Sequence, residues 1–361
     1  PPRWRCRPWP APKVVVVTGE QIPRFRVRNG CATWVCRCPT ANSPSTESRQ
    51  ARSSTMQYHP LSDGIATQLI SVGLEVDVVR RVIAVGLDED LAHGPDITTL
   101  ATVPAAQRST GTFGTRASGC IAGIDIVAAV LDMVCGADSV TFTKQVTDGE
   151  RVQAGAVLAN IGAPTRGLLT AERTALNILG HLSGVASETA KWVDALAGTN
   201  ASVRDTRKTT PGMRMLEKYA VRCGGGVNHR MSLSDAALVK DNHIVAAGGV
   251  AQAFVAVRKL RPDIAIEIEV DSLDQLREAL DAGADLVLLD NMSPELLGQA
   301  VHIANEHSTR TGKPVVLEAS GGITLASATA VARSGVRFIS VGALTHSAPV
   351  LDIGLDLQSI T

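Results

Sequence analysis

The sequence predicts an α/β protein whose second half is built from repeated strand and helix units. Beyond residue 201, six short apolar runs alternate with helical segments and begin about 20 to 34 residues apart, the spacing of βα units with right-handed crossovers. Nearly every run ends in a charged residue, a serine or a glycine. In a parallel barrel such ends converge on one mouth, whereas in a doubly wound sheet they spread along an edge. Because the polar ends suit one shared site, we favour the barrel.

The first 55 residues differ in composition from the rest of the chain. They carry ten Lys or Arg against two Glu, a formal net charge of +8, and they hold eight of the seventeen prolines. The first methionine is Met56. This composition is typical of disorder, so we expect residues 1–55 to be a disordered or spurious N-terminal extension. Cys31, Cys36 and Cys38 lack the C-x2-C spacing of a zinc knuckle, which makes a metal site there the less favoured interpretation.

The segment between residues 60 and 161 predicts helices followed by an antiparallel sheet. Apolar residues recur at helical spacing over 60–91, which predicts two helices. Runs rich in Thr and Val over 109–161 predict an antiparallel sheet that one helix, 124–134, interrupts. The hairpin rhythm around Asp148 is shared with biotinyl and lipoyl carrier domains, but no lysine stands at the turn. We therefore interpret this segment as an ordinary hairpin.

A long apolar helix is predicted over 168–185, and it carries Arg173. A charged residue on such a helix either extends to water or meets an anion, and the residues themselves favour neither. The strands beyond it are predicted at 202–206, 236–240, 264–270, 285–289, 314–318 and 337–341. Helices are predicted between these strands, among them 211–222, 272–282 and 325–334.

Positive charge is concentrated between Arg204 and Arg230, a stretch with seven Lys or Arg against two acids. This concentration indicates a polyanionic small-molecule ligand. The cations at strand or loop ends are interpreted as functional, namely Arg207, Lys208, Arg230 and Lys240. In contrast, Lys218 and Arg222 stand four residues apart on the helix predicted over 211–222, and we interpret them as solvated surface.

Two acids and two groups of small residues also stand at strand ends. Glu269 and Asp290 have the chemistry to hold a divalent metal ion or to stabilise a cationic, sugar-like transition state. Glu267 lies on the same strand face as Glu269 and is a candidate structural partner for one of the cations. The small residues at Ser320-Gly321-Gly322 and at Gly342 leave backbone N–H groups free to bind phosphate.

Composition argues against several other functions. Cys120, Cys135 and Cys223 are scattered, which fits a reducing cytosol better than a disulfide framework. Beyond residue 55 the chain is acidic and has no basic stripe with interleaved aromatic residues, which argues against nucleic acid binding. No run approaches the roughly 20 apolar residues that a membrane helix needs. We therefore expect a cytoplasmic protein with no nucleic acid or membrane partner.

Several multi-residue motifs, in one order along the chain, resemble the quinolinate phosphoribosyltransferase family, also called nicotinate-nucleotide pyrophosphorylase (carboxylating). They are GPDITT (94–99), AERT with Arg173, RDTRKTTPGMR, KYAVRCGGGVNHR, ALVKDNH, EIEVDS, LLDNM, LEASGGI and VGALTH. The resemblance covers the chain from about residue 60 to its end, and residues 1–55 match no part of it. Such an ordered set is far more specific than any one motif.

This resemblance implies a fold, a domain division and an assembly. It implies an N-terminal open-faced α/β sandwich over 56–172, to which residues 346–361 return, followed by an incomplete α/β barrel of about seven strands over 173–345. It also implies a homodimer or higher homo-oligomer whose active sites lie at the interface. In that assembly the neighbouring subunit lends Arg173, which would explain a charge on an apolar helix.

The implied reaction joins quinolinate to phosphoribosyl pyrophosphate and gives nicotinate mononucleotide, pyrophosphate and carbon dioxide, with Mg²⁺, in the de novo biosynthesis of NAD. The residues implied to bind quinolinate are Arg173, Arg207, His229, Arg230 and Lys240. Those implied to bind phosphoribosyl pyrophosphate are Lys208, Glu269, Asp290, Ser320, Gly321, Gly322 and Gly342. The expected catalytic residues are Lys208, Glu269 and Asp290, and the last two are the expected metal ligands. No covalent nucleophile is needed, so Cys223 is expected to be a bystander.

Two alternatives stay open at the level of the sequence. One is a sister enzyme of the same fold that acts on nicotinate or another acceptor, but the pair of Arg207 and Arg230 favours a dicarboxylate. The other is a non-catalytic protein that binds a phosphorylated metabolite. Acids at several strand ends, which binding alone does not require, count against the binding protein.

Overall fold

The computed structural model describes residues 58–359. The extension 1–55, Met56 and the cysteines Cys31, Cys36 and Cys38 lie outside these residues, so what the sequence predicts for them stays a prediction. Within the described range, no helix combines the length and the apolar character needed to cross a membrane.

The described residues form a four-stranded sheet, a six-stranded sheet and a pair of short strands, with helices between them. The helices are α1 (Asp63–Ser71), α2 (Val76–Leu91), α3 (Ile97–Thr102), α4 (Ile124–Cys135), α5 (Thr165–Ala195), α6 (Arg214–Cys223), α7 (Asp241–Ala247), α8 (Val250–Leu260), α9 (Leu273–Asp281), α10 (Pro294–Thr311), α11 (Leu325–Arg333) and α12 (Ala343–His346), with a 3₁₀ turn at Ala137–Ser139. The strands are β1 (Arg108–Thr115), β2 (Gly119–Cys120), β3 (Thr141–Lys144), β4 (Arg151–Val152), β5 (Val157–Pro164), β6 (Ser202–Arg204), β7 (Ala237–Val239), β8 (Ile266–Val270), β9 (Leu286–Asp290), β10 (Val316–Ser320), β11 (Phe338–Ser340) and β12 (Ile353–Ser359).

The four-stranded sheet is antiparallel and has the order β12-β1-β5-β3. Buried residues alternate with more exposed ones along β1, because successive side chains of a strand point to opposite faces. Helices α4 and α5 contact β5 and each other. The opposite face carries the exposed residues Thr110, Thr143 and Asn160. This is the expected open-faced sandwich, and the two predicted helices and the interrupting helix are confirmed as α1, α2 and α4.

Strand β12 brings the end of the chain back to this sheet. It pairs with β1 in antiparallel register, with Thr115 opposite Ile353 and Ser109 opposite Ser359. Between the two sheets, α5 runs without a break from Thr165 to Ala195. This helix crosses the domain boundary predicted between residues 172 and 173. The bounds 56–172 and 173–345 stay a prediction.

Helix α5 has 31 residues and is longer than the predicted helix over 168–185. The segment near Pro349 crosses it at close range, and the Leu351 N–H donates to the Gly180 carbonyl at 3.0 Å. A Cβ atom on Gly184 would lie 2.1 Å from the carbonyl oxygen of Pro349. Glycine is therefore required at Gly184 for the two backbones to approach each other.

The six-stranded sheet is parallel and has the order β6-β11-β10-β9-β8-β7. Each strand overlaps its predicted range, and helices α8 to α11 contact these strands. Its edges β6 and β7 are not neighbours among the described residues, so the barrel is incomplete. A parallel bridge between Arg204 and Val227 adds a further segment beside β6, which brings the barrel close to the seven strands expected.

Candidate active site

A cavity of about 660 Å³ opens where the strands of the six-stranded sheet end. Strands β9 and β10 end at Asp290 and Ser320, and both residues line the cavity. Most of the predicted site residues line it, namely Arg207, Lys208, His229, Arg230, Lys240, Glu269, Asp290, Ser320, Gly321, Gly322 and Gly342. They converge because the carboxyl ends of parallel strands meet at one mouth. The structure therefore brings together residues that lie as far apart in the sequence as 207 and 342.

Arg173 is the predicted site residue that the structure does not bring to this cavity. It lies on α5, is exposed, and is absent from the cavity lining. Its apolar neighbours Leu176 and Leu179 are buried against the rest of the chain. Arg173 is thus exposed to solvent and lies outside the cavity lining.

Two arginines on the cavity wall have donor groups without a partner among the described residues. The Nε atoms of Arg207 and Arg230 are buried and have no hydrogen-bond acceptor, although Nη1 of Arg230 donates to the Ala236 carbonyl at 3.0 Å. Burial, together with the positive charge of Arg207, lowers the pKa of Arg230. An anion bound in the cavity beside the two guanidinium groups would offset this repulsion.

Lys240 and Glu269 form an ion pair on the wall of the same cavity. The Lys240 side chain is 46% exposed and the Glu269 side chain is 14% exposed, so the pair faces the open space rather than the core. The first turn of α7 is held at Lys240, where the backbone N–H donates to Nδ1 of His243 at 2.9 Å. Lys240 is thus placed to pair with an anionic ligand in the cavity instead of with Glu269.

Glycines shape the end of the cavity beyond β10. A Cβ atom on Gly321 would lie 2.2 Å from Oδ1 of Asn291, and Gly321 has a φ of +89°, which L side chains rarely adopt. Asn291 itself has a φ of 56°, and its N–H donates to the Ser320 carbonyl at 2.9 Å. These two turns are in close contact, so only small residues fit at this part of the cavity wall.

The turn at Gly342 brings a further residue into the site that the sequence analysis does not single out. A Cβ atom on Gly342 would lie 3.0 Å from Cδ of Lys208 and 3.3 Å from Nε2 of His346. Thr345 Oγ1 donates to the Lys208 carbonyl at 2.8 Å. His346 lines the cavity with Lys208. In the sequence, His346 stands four residues after Gly342. This spacing of about one helical turn indicates that the two face the same side.

The floor of the cavity is a buried layer of charged residues. Arg204, Glu267 and Glu318 come from β6, β8 and β10, which alternate in the sheet, as do the interior layers of α/β barrels. Nη1 of Arg204 donates to Glu318 at 2.5 Å and lies 4.0 Å from Glu267. Burial raises the pKa of both glutamates. The prediction that Glu267 pairs structurally with a cation is thus confirmed.

His229 lies above this layer, and both of its ring nitrogens face protein groups. Nδ1 accepts a hydrogen bond from the Arg230 N–H at 2.7 Å. Nε2 lies 2.9 Å from Glu267 and 3.7 Å from Glu318, at angles that are poor for hydrogen bonds. Burial lowers the pKa of His229 to about 4. The ring is therefore neutral near pH 7 and adds no positive charge to the cavity.

This lowered pKa makes folding stability depend on pH through His229. The unfolded chain takes up the proton near the ordinary pKa of 6.5, whereas the folded protein resists it until about 4. The contribution of His229 to folding stability is fully present above its unfolded pKa of 6.5. It is lost as the pH falls from there to about 4. At pH 5 the loss from this group is about 2 kcal/mol relative to pH 7.5. Urea unfolding at both pH values measures it.

His229→Gln is expected to flatten that pH dependence, because it removes the titrating group. His302→Gln is the matched control, since the His302 side chain is 75% exposed. If His229→Gln and the control show the same pH slope, the neutral state of His229 in the folded protein is refuted.

Lys218 corrects the sequence-based interpretation. The helical spacing of Lys218 and Arg222 predicts that both lie on the solvated surface, and Arg222 is exposed. Lys218, however, is fully buried and forms an ion pair with the fully buried Asp205. Burial lowers the pKa of Lys218 and raises that of Asp205, and their mutual attraction opposes both shifts. Helical spacing alone did not show that this face of α6 packs inward.

Cys223 lies at the end of α6 outside the cavity lining. Burial raises its pKa to about 12, so the sulfur is a thiol rather than a reactive thiolate near pH 7. We expect Cys223→Ser to change the turnover number by less than about twofold, because the thiol takes no part in the chemistry. Steady-state kinetics measure this, and a loss of turnover with an unchanged melting temperature would contradict it.

Comparison with known proteins agrees with this geometry. The family model described as quinolinate phosphoribosyl transferase, C-terminal domain, matches residues 185–356, and the N-terminal domain model matches residues 96–183. The nicotinate-nucleotide pyrophosphorylase (carboxylating) of Mycobacterium leprae is 50% identical over 283 residues, which cover 78% of this chain and 98% of the relative.

Solved structures show the same likeness. The nicotinate-nucleotide pyrophosphorylase of Francisella tularensis has a TM-score of 0.72 and 41% identity, and the match covers 78% of this chain and 96% of that one. NadC from Streptococcus pyogenes has a TM-score of 0.73 and 37% identity over 82% of this chain and 98% of that one. With both domain models matched in order and close relatives covered almost completely, the chain belongs to the quinolinate phosphoribosyltransferase family.

Proposed function

We propose that this chain transfers the phosphoribosyl group of phosphoribosyl pyrophosphate to quinolinate and releases nicotinate mononucleotide, pyrophosphate and carbon dioxide. The observation that carries the proposal is the pair of arginines, Arg207 and Arg230, which line one cavity and lie close enough for the charge of Arg207 to lower the pKa of Arg230. Acids and glycine turns line the same cavity. This combination suits a dicarboxylate beside a sugar phosphate better than it suits a single carboxylate.

The dicarboxylate end of the cavity lies at Arg207, Arg230 and Lys240. Quinolinate carries two adjacent carboxylates on a flat ring, and two guanidinium groups hold carboxylates through paired N–H donors. The neutral ring of His229 forms the wall beside Arg230. Lys240 leaves Glu269 and pairs with a carboxylate when the acceptor arrives, which frees Glu269 for the sugar.

The proposed phosphate end is formed by Lys208, the turn Ser320–Gly322 and Gly342, which line the same cavity. Glycines that side chains cannot replace leave backbone N–H groups to face a phosphate. Lys208 adds a full positive charge, and its position next to Gly342 is held by Thr345. The ribose then lies between the two ends, near Glu269 and Asp290.

The chemistry follows from these positions. Pyrophosphate leaves C1 of the ribose, and Glu269 and Asp290 stabilise the positive charge that develops there. The quinolinate nitrogen bonds to C1, and the ring becomes a pyridinium. The bond between C2 and its carboxylate breaks, carbon dioxide leaves, and the electron pair remains on C2 beside the cationic nitrogen. C2 then takes a proton from solvent. The protein positions the reactants and places charge, with no covalent intermediate.

Glu269 and Asp290 are also the proposed holders of Mg²⁺. Both carboxylates line one cavity at the ends of neighbouring strands β8 and β9, and hard cations of this kind prefer carboxylate oxygens. When bound, Mg²⁺ neutralises charge on the departing pyrophosphate. The residues therefore fit the metal that the family resemblance implies.

Removing divalent cations with a chelator is expected to abolish turnover, and added Mg²⁺ to restore it. Asp290→Asn is expected to raise the Mg²⁺ concentration for half-maximal rate by about tenfold, because one charged ligand is lost. A titration of rate against Mg²⁺ measures this. Asp281→Asn, an exposed carboxylate away from the cavity, is the control. Full turnover in the chelator would rule out the metal.

The proposal includes a homodimer or higher homo-oligomer in the cytoplasm. Support for the assembly comes from Arg173, a charged residue that extends from α5 outside its own subunit's cavity. A neighbouring subunit would use it to complete the quinolinate site. Support for a reducing compartment comes from Cys120, Cys135 and Cys223, all of which are free.

The direct test gives the full chain quinolinate, phosphoribosyl pyrophosphate and Mg²⁺. Labelled carbon dioxide from the 2-carboxylate and the appearance of nicotinate mononucleotide are followed together. A parallel reaction contains nicotinate in place of quinolinate. Turnover with quinolinate alone supports the proposal. Turnover with nicotinate moves the specificity to a sister enzyme, and silence with both overturns the proposed activity in favour of a binding protein.

A further inference from the structure

The ion pair of Lys218 and Asp205 lies beneath the cavity without lining it. Both side chains are fully buried, and neither contributes to the cavity wall. Asp205 stands directly after β6 and two residues before Arg207, while Lys218 lies in the middle of α6. The pair is thus placed to act on the site through the backbone rather than through a bound ligand.

Both members of the pair hold the loop that leads into Arg230. The His229 N–H donates to Oδ1 of Asp205 at 2.8 Å, and Nζ of Lys218 donates to the His229 carbonyl at 2.8 Å. The amide of Asn228 donates to Oδ2 of Asp205 at 2.5 Å and to the Lys218 carbonyl at 2.8 Å. The two residues that precede Arg230 therefore have their positions set by Lys218 and Asp205.

Helix α6 also holds the segment that follows Arg207. The Thr210 N–H donates to Oε2 of the buried Glu217 at 3.0 Å, and Nε of Arg214 donates to Oγ1 of Thr209 at 3.0 Å. Three pieces of chain, the end of β6, α6 and the loop at 228–230, are thus joined around one buried ion pair. Arg207 belongs to the first piece and Arg230 to the last.

Stability alone is a weak reason for such a pair. Removing two charges from water is costly, and well-packed apolar side chains of similar size often stabilise a fold as well or better. Apolar side chains, however, make no directed bonds to a loop backbone. Lys218 and Asp205 together make two such bonds to the backbone of His229 and one further bond to the side chain of Asn228.

We propose that the Lys218–Asp205 pair sets the separation of the Arg207 and Arg230 guanidinium groups and so selects a ligand with two adjacent carboxylates. The inference rests on the proposed function and adds to it the residues that determine acceptor specificity. Carboxylates on neighbouring atoms of a rigid ring keep a fixed distance, and the two arginines repel each other, so something must hold them at that distance. Lys218 and Asp205 are positioning residues in this account.

The test compares the full chain with the double substitution Lys218→Met/Asp205→Asn, which removes both charges and leaves no buried charge alone. We expect the KM for quinolinate to rise by about tenfold or more, because small misplacements of binding groups are costly. The KM for phosphoribosyl pyrophosphate is expected to rise by less than about threefold, because Lys208 alone among its proposed binding groups stands on a segment that the pair holds. Preference for quinolinate over pyridine-2,5-dicarboxylate, measured as competitive inhibition, is expected to fall as well.

The matched control is Lys191→Met/Glu188→Gln, which makes the same chemical changes in a surface pair on α5. It is expected to keep both KM values and the isomer preference. If the wild type turns over quinolinate and the Lys218→Met/Asp205→Asn protein keeps its KM and its isomer preference, the inference is overturned. An equal rise in both KM values assigns the pair a structural role and overturns it too. No turnover by the wild type refutes the proposed function instead.

A second variant covers the outcome in which the double substitution fails to fold. Asn228→Ala removes the amide that donates to Asp205 and to Lys218, and Asn228 is only half-buried. It leaves the buried charges in place. We expect the KM for quinolinate alone to rise by about threefold to tenfold, since two directed bonds are lost. An unchanged KM and isomer preference in this variant would overturn the inference by itself.

Discussion

Replacing Arg207 with alanine is expected to raise the KM for quinolinate by about ten- to several hundredfold, because a charge-assisted hydrogen bond to a buried group contributes roughly 1.5–3 kcal/mol. Arg207 lines the cavity and its charge acts on Arg230, so a carboxylate bound there would pair with it. The KM for phosphoribosyl pyrophosphate is expected to stay nearly constant. Steady-state kinetics with each substrate varied in turn measure both.

Two further variants sharpen this result. Arg207→Lys keeps the charge but loses the planar fork, so we expect it to recover only part of the affinity. Arg333→Ala, which removes an exposed arginine of α11, is the control and is expected to leave both KM values unchanged. Wild-type kinetics in Arg207→Ala would remove this residue from the acceptor site.

Mixing two inactive variants is expected to restore activity if Arg173 acts in the neighbouring subunit's site. Arg173→Ala removes the lent arginine, and Lys208→Ala removes a cation of the cavity. Each alone is expected to lose about a hundredfold or more in turnover. In a random mixture half of the dimers carry one intact site, so the rate recovers to roughly a quarter of the wild-type rate. Co-expression with two affinity tags isolates the mixed dimers.

Two results of this experiment would contradict the proposal. If purified mixed dimers stay inactive, Arg173 does not complete a partner's site. If Arg173→Ala alone is fully active, the residue has no role in binding. Glu172→Gln, the neighbouring position on α5, is the control for changes of charge on this helix, since Glu172 is half-buried and lies outside the cavity lining.

Most of the cavity could be predicted before the structure because strand direction and strand ends are local properties. Lys240, Glu269 and Asp290 each end an apolar run of five to seven residues or lie within its last residues, and parallel strands bring such ends together. Gly321 directly follows β10, and Gly342 lies two residues beyond the end of β11. Once a parallel barrel is predicted, these polar and small residues are therefore expected together at one of its mouths.

His346 and Lys218 show what local pattern does not reveal. His346 joins the site because a short helix turns it back toward Lys208, 138 positions earlier in the chain. Lys218 belongs to a helix whose spacing predicts two faces but does not say which one the rest of the protein covers. Its partner Asp205 lies 13 residues away, and only the packing of α6 against the barrel makes the two meet.

Residue patterns along the chain predict the barrel, its six strands and their polar ends, because periodicity and strand length depend on neighbours in the chain. Ordered motifs determined the family. Three properties depend on the tertiary structure: which charges are buried, the lowered pKa of His229, and the position of Arg173 outside the cavity. Those properties depend on desolvation and on distances between groups far apart in sequence, and no local pattern contains them.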